Sequence, residues 1–219
     1  MEERSFFQRE WLSLLILAAP FVLIAIFWDK IPDQVPMHWN LQNEVDSYAS
    51  KGFGMFALPV FNILLYGLFF LLPRIDPRKE NYKLFGSAYA TLRLVIITFM
   101  FVLFGVIMLV SMGYELNIGL IVIDLVSILF LVLGNMFGKI RFNYFVGIKT
   151  PWTLANQDVW QKTHRLGGKV WVIGSIIMLI LSFALPFEWL IYIFIAYIAV
   201  IVVIPVVYSY KLYKAGGKE

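Results

Sequence analysis

The chain has 219 residues, of which 61% are hydrophobic and 15% charged, and its formal net charge is +4. A soluble domain is roughly 45–50% apolar and about 25% charged, so a water-exposed fold cannot hide this excess and lipid is the solvent the composition calls for. The absence of cysteine excludes disulfides, thiolate metal sites and cysteine nucleophiles. The apolar runs are continuous, not alternating, which favours helices over a membrane barrel.

The first run, residues 11–28, is followed by Asp29-Lys30-Ile31-Pro32 with no small-residue cleavage pattern, so it reads as a retained anchor. The second, 54–72, ends at Pro73 and a charged turn over 74–83. The third is densest over 94–112. Its helix is open to an earlier start near Tyr82, with Arg93 reaching toward the headgroups. A turn over 113–117 leads to the fourth run, 118–137; the fifth spans 170–185 and the sixth 189–208. The expected fold is thus an all-α integral membrane protein, a bundle of six transmembrane helices. Its expected division is an N-terminal two-span unit, 1–83, and a C-terminal four-span unit, 84–219. The Gly-Gly-Lys-Glu tail is expected to be mobile.

Of the 18 Lys and Arg residues, all but Lys30 and Lys51 fall on one side of this topology. By the positive-inside rule that side is cytoplasmic, with both termini and the loop 138–169; the loop 29–53 is extracytoplasmic.

In the outer loop, Pro32 and Pro36 stiffen the descent from the membrane. Val35, Met37 and Trp39 alternate with Pro36 and His38, as in a short extended segment, and Asn40, Asn43 and Asp46 are turn formers. Two readings stand: a recognition surface made of His38, Trp39, Asn40, Asp46 and Tyr48, or a compact cap over the bundle. The second histidine, His164, falls across the membrane from His38, so no metal-ligand spacing emerges.

In the inner loop, Gly134 and Gly138 stand four apart and permit close helix approach. Asn156 suits an N-cap, and Lys162, His164 and Arg165 precede Gly167-Gly168, which predicts a short helix over 156–166. Val159, Thr163 and Leu166 would share one face, with Trp160 and His164 beside it. With Arg141, Lys149 and Trp152 nearby, the helix is expected to lie against the headgroups. It is either a docking site for a cytoplasmic partner, through Arg141, Asn143, Lys149, Trp152, Trp160, His164 and Arg165, or an interfacial anchor.

Gly134-Asn135, then Lys139, Arg141, Asn143, Gly147, Thr150 and Trp152, and finally Trp160, Thr163, His164, Arg165 and Gly167, form a pattern that resembles the signature of the SdpI family of bacterial membrane proteins. Pro36-Met37-His38-Trp39-Asn40 with Asp46, Tyr48 and Lys51 is similar to the uncharacterised domain that precedes it in longer members. Asn43 and Ser47 stand where that outer motif usually has glycine, and Phe142 where the inner one usually has proline. The resemblance implies a multi-pass protein of the bacterial cell membrane that acts in immunity. Such a protein gives resistance to a secreted toxic peptide and relays the toxin's presence to a cytoplasmic transcriptional repressor, without itself binding nucleic acid.

Asp124 lies about six residues into the fourth run, where a carboxylate in lipid costs roughly 2.5–3.5 kcal/mol, so it should face the bundle interior or a watery cavity. It is read either as a proton- or ligand-binding group or as an acid bonded to a neighbouring Tyr or Ser. Asn62 and Asn135 are expected to make interhelical hydrogen bonds. The alternative function is a small transporter or channel using Asp124. A membrane enzyme ranks last, since no catalytic or cofactor-binding constellation appears.

Overall fold

The computed structural model describes residues 6–216. Of the Gly-Gly-Lys-Glu tail expected to be mobile, Gly216 belongs to the last helix and residues 217–219 lie outside these. Helices α1 (Phe6–Phe27), α2 (Lys51–Ile75), α3 (Gly86–Ser111), α4 (Ile118–Met136), α6 (Gln157–Ala184) and α7 (Phe187–Gly216) carry six stretches long and apolar enough to cross a membrane. A short helix, α5 (Pro151–Ala155), precedes α6, and a hairpin of β1 (Gln34–Trp39) and β2 (Val45–Ser50) joins α1 to α2. Large apolar side chains remain on the helix surfaces, Phe183 being 91% exposed. Lipid tails accept such a surface, whereas a contiguous apolar surface of this extent would aggregate in water.

Two compact units account for the described residues, 6–68 with 93–119 and 69–92 with 120–216. They interleave along the sequence, whereas the linear reading divides it at residue 83.

In the first unit the hairpin pairs antiparallel, Val35 opposite Ala49 and Trp39 opposite Val45, with irregularities around His38. The sequence suggested only one extended segment here. Asp46 therefore belongs to a strand and not to the turn. The turn is held by Asn40, whose side-chain oxygen accepts from the backbone N–H groups of Gln42 (2.9 Å) and Glu44 (2.9 Å). Asn43 adopts φ +64°, the left-handed conformation that glycine takes freely and asparagine tolerates best after it. Its side chain also accepts from the Gly119 N–H at 2.7 Å. Val35 is fully buried, with Ile24, Ile31, Met55, Phe104 and Met108 around it. Gly54 makes the fit possible, because a Cβ there would run into the Val35 side chain.

Farther along the same helices, Glu10 of α1 forms a buried ion pair with Arg93 of α3, and Tyr66 of α2 donates to the same carboxylate at 3.1 Å. Arg93 thus turns inward instead of extending to the headgroups. Pairing and added hydrogen bonds offset part of the desolvation that each charge would suffer alone. Asn62 bridges α2 to α3 by donating to the Ile97 carbonyl at 3.0 Å, as expected; Asn135 by contrast is exposed.

In the second unit, α4, α6 and α7 pack around Ile123, Met178, Leu190, Tyr197 and Ile201. Lipid tails are as apolar as these side chains, so close packing and hydrogen bonds supply the cohesion. Gly134 of α4 meets Gly168 of α6 backbone to backbone: a Cβ on Gly168 would lie 2.6 Å from the Gly134 carbonyl oxygen. This explains why α6 runs unbroken through Gly167-Gly168, where the sequence suggested a helix end. The small residues serve contact between helices, and the short interfacial helix and the fifth span are one 28-residue element.

Prolines inside the helices leave carbonyls without a helical partner, and two of these carbonyls are met from another helix. Pro73 cannot donate to Phe69, so helix α2 was expected to end there; instead it continues to Ile75. The Tyr89 hydroxyl donates to the Phe69 carbonyl at 2.6 Å. In α7, Pro205 frees the Ile201 carbonyl, which accepts from the Trp171 indole N–H at 3.1 Å. In lipid an unmet carbonyl has no water to turn to, so these side chains sustain the helices. Before α3, residues Lys79–Leu84 form a tight 3₁₀ segment, so the helix begins at Gly86 and not near Tyr82.

Candidate functional site

The α4–α6 loop is built from its ends inward. Thr150 caps α5, accepting from the Thr153 N–H at 3.1 Å, with Pro151 at the first helical position. The Thr150 hydroxyl also lies 3.1 Å from that of Ser209 on α7. Asn156 caps α6 as expected, accepting from Asp158 and Val159 at 2.8 and 3.1 Å.

One turn into α6, the Trp160 and His164 rings stack at 4.1 Å. Trp160 donates its indole N–H to the Ile140 carbonyl at 3.1 Å. The backbone N–H of Ile148 donates to His164 Nε2 at 2.9 Å, so that nitrogen bears no proton. Nδ1 therefore carries it and faces the Trp160 carbonyl at 2.8 Å, and the neutral imidazole is the form that fits. Gly147 has φ +118°, and a Cβ there would strike His164 Nε2. Only glycine satisfies both demands.

Asn143 is fully buried. It donates to the Arg141 and Val146 carbonyls at 2.8 and 2.9 Å, and accepts from the Phe145 and Val146 N–H groups at 2.8 and 2.7 Å. The segment after α2 locks the loop from the other side. Asp76, also buried, accepts from Tyr144 N–H (2.9 Å), the Tyr82 hydroxyl (3.1 Å) and Arg78 N–H (2.7 Å). Burial, then the neighbouring Asp76 charge, pushes the Tyr82 phenol above its usual range and keeps it a donor. The Arg78 guanidinium lies over Phe142 (3.4 Å) and Tyr144 (4.2 Å) and donates to the Leu154 carbonyl at 3.2 Å. Phe142 thus gives Arg78 a platform. Asn81 completes the clasp by donating to the Phe142 carbonyl at 2.6 Å.

Sequence reasoning passed over Asp76, Arg78, Asn81 and Tyr82 as a charged turn. The available signal was an aspartate directly before proline, in a segment otherwise dominated by cations. Among the seven residues assigned to a cytoplasmic partner, Asn143, Trp160 and His164 are buried and spend their polar atoms on the loop itself. Arg141, Lys149 and Arg165 are exposed, and Trp152 is half-buried against Tyr210 at 5.0 Å.

On the hairpin, His38 Nδ1 lies 2.5 Å from Asp46 Oδ1, and both side chains face solvent. Tyr48 is exposed, Trp39 is half-buried, and Asn40 is occupied by the turn. Asp124, in the other unit, is half-buried; its Oδ1 is enclosed and meets no hydrogen-bond donor among the described residues, so the anticipated bond to a Tyr or Ser does not reach that oxygen there. Among the described residues no three His, Asp or Glu side chains converge as a metal site requires.

The pattern of the SdpI/YfhL protein family matches residues 139–209, the clasped loop with α5, α6 and most of α7. Residues 15–63, with the hairpin at their centre, match a domain of unknown function, DUF1648. Over 203 residues the chain is 30% identical to the Immunity protein SdpI of Bacillus subtilis (strain 168), covering 93% of this chain and 95% of that protein. The chain belongs to the SdpI family. It is a multi-pass membrane protein, to which the six apolar helices testify. No solved structure matches it.

Proposed function

We propose that this SdpI-family protein is a non-enzymatic immunity protein of the bacterial cell membrane, protecting the cell from an extracytoplasmic toxic peptide. Likeness to a protein named for immunity, along 95% of that protein's length, carries the reading. The uneven placement of Lys and Arg supports an orientation with the hairpin outside and the α4–α6 loop and both termini inside. In this reading the peptide meets the hairpin at His38, Asp46 and Tyr48, which are exposed and free of packing duties. The exposed Arg141, Lys149 and Arg165 on the opposite face offer a cytoplasmic repressor a basic contact.

Survival of a sensitive host expressing the chain, challenged with candidate secreted peptides, tests the proposal. Protection should fall when the hairpin is replaced by a neutral linker while membrane insertion persists. Undiminished protection would remove the hairpin from the mechanism. The relay is tested by recovery of the repressor with membranes, which Arg141→Ala with Lys149→Ala should reduce.

A second reading rests on the enclosed Asp124 oxygen without a donor, which suits a carboxylate that takes up a proton or ligand. Flux into reconstituted vesicles that Asp124→Asn abolishes would favour a transporter over an immunity protein.

A further inference from the structure

Where α6 emerges from the loop, two depressions share a wall. The first, of about 370 Å³, lies between the segment after α4 and the first turns of α6, with Arg141, Gln161 and Arg165 on its sides. The second, of about 340 Å³, follows the helices past Gly134, Val172 and Ile173. Gly138, His164 and Arg165 line both, so the two form one trough whose chemistry changes along its length. One end is polar and cationic; the other, though Asn135 and Lys169 also line it, is mostly apolar and lies against helices that cross the membrane.

The charge at the polar end is uncompensated. Its one acid, Asp158, is held by Lys162 at 2.7 Å, and neither arginine enters an ion pair among the described residues. His164 adds no charge, because both its nitrogens are engaged. Gly138 keeps the junction open: a Cβ there would meet nothing. A guanidinium pair recognises phosphate oxygens, and an apolar groove beside it accommodates a hydrocarbon chain.

We propose that this trough holds one anionic phospholipid, its phosphate between Arg141 and Arg165 and an acyl chain along Gly134, Val172 and Ile173. A small phosphate compound shares the headgroup chemistry but leaves the apolar half unfilled. The lipid would brace the junction of α4 and α6 beside the family motif.

The full chain, purified and placed in nanodiscs of phosphatidylcholine with or without phosphatidylglycerol, provides the test, read by thermal melting and by native mass spectrometry of retained lipid. Wild-type protein should melt higher with phosphatidylglycerol and retain it preferentially. Arg141→Gln with Arg165→Gln should weaken retention roughly 30-fold, each basic residue near an anionic membrane surface contributing about a fivefold preference. Ile173→Trp, at an exposed position, should fill the apolar half and lower retention with both arginines in place. Lys211→Gln with Lys214→Gln removes the same charge from α7 and should leave retention unchanged. An equal loss in that lysine variant would mean general surface attraction and overturn the site. Absence of any wild-type preference for phosphatidylglycerol would overturn it too. Stabilisation by glycerol 3-phosphate matching that by the lipid would replace the phospholipid with a free phosphate compound.

Discussion

The hairpin and the α4–α6 loop carry the two segments of family likeness, and they are built in opposite ways. Around the loop the buried polar groups are turned inward: Asn143, Asp76, His164 and the Trp160 indole all bind backbone, while Arg141, Lys149 and Arg165 stay exposed. In the hairpin the backbone ladder and the Asn40 turn hold the shape, and His38, Asp46 and Tyr48 remain at the surface. Likeness in the loop thus follows from the demands of folding. The exposed hairpin side chains carry no such duty, which leaves them available for the recognition proposed above.

This contrast can be broken by stability measurements in detergent. The largest effect should come from Asp76→Ala, which strands three donors in a buried clasp and should cost about 3–5 kcal/mol; unfolding at nearly wild-type denaturant would refute the clasp. Gly147→Ala forces a side chain into a left-handed conformation and into His164, and should cost about 2–3 kcal/mol by the same assay. Tyr89→Phe or Trp171→Phe removes one donor to a proline-freed carbonyl, with an expected loss of about 1 kcal/mol and faster amide exchange near Phe69 or Ile201. Smallest should be His38→Ala and Asp46→Ala, within about 0.5 kcal/mol of wild type, with protection from a cognate peptide nonetheless reduced. A large stability loss in the hairpin variants would erase the distinction between the two regions.

The six spans are legible in the sequence because hydropathy is local: each run announces its own solvent. The Asn156 cap and the Asn62 bridge were legible for the same reason, being matters of residue type at a marked position. The clasp and the buried ion pair were not, because each joins residues far apart along the chain. Asp76 and Tyr144 are 68 residues apart, Glu10 and Arg93 83. Nothing local distinguishes a buried Asp76 from a solvated one. Gly167-Gly168 misled in a different way. Glycine ends helices in water, yet in lipid the same residue draws two backbones together, and the signal for one resembles the signal for the other.

The Glu10–Arg93 pair sets an order of events during synthesis. Helix α1 leaves the ribosome bearing a carboxylate whose countercharge has not yet been translated. Until α3 is delivered, Glu10 has only headgroup water for company, and helix α1 waits for its buried contact with α3. Its final seat is taken when the third helix arrives, and the early helices settle together instead of one by one.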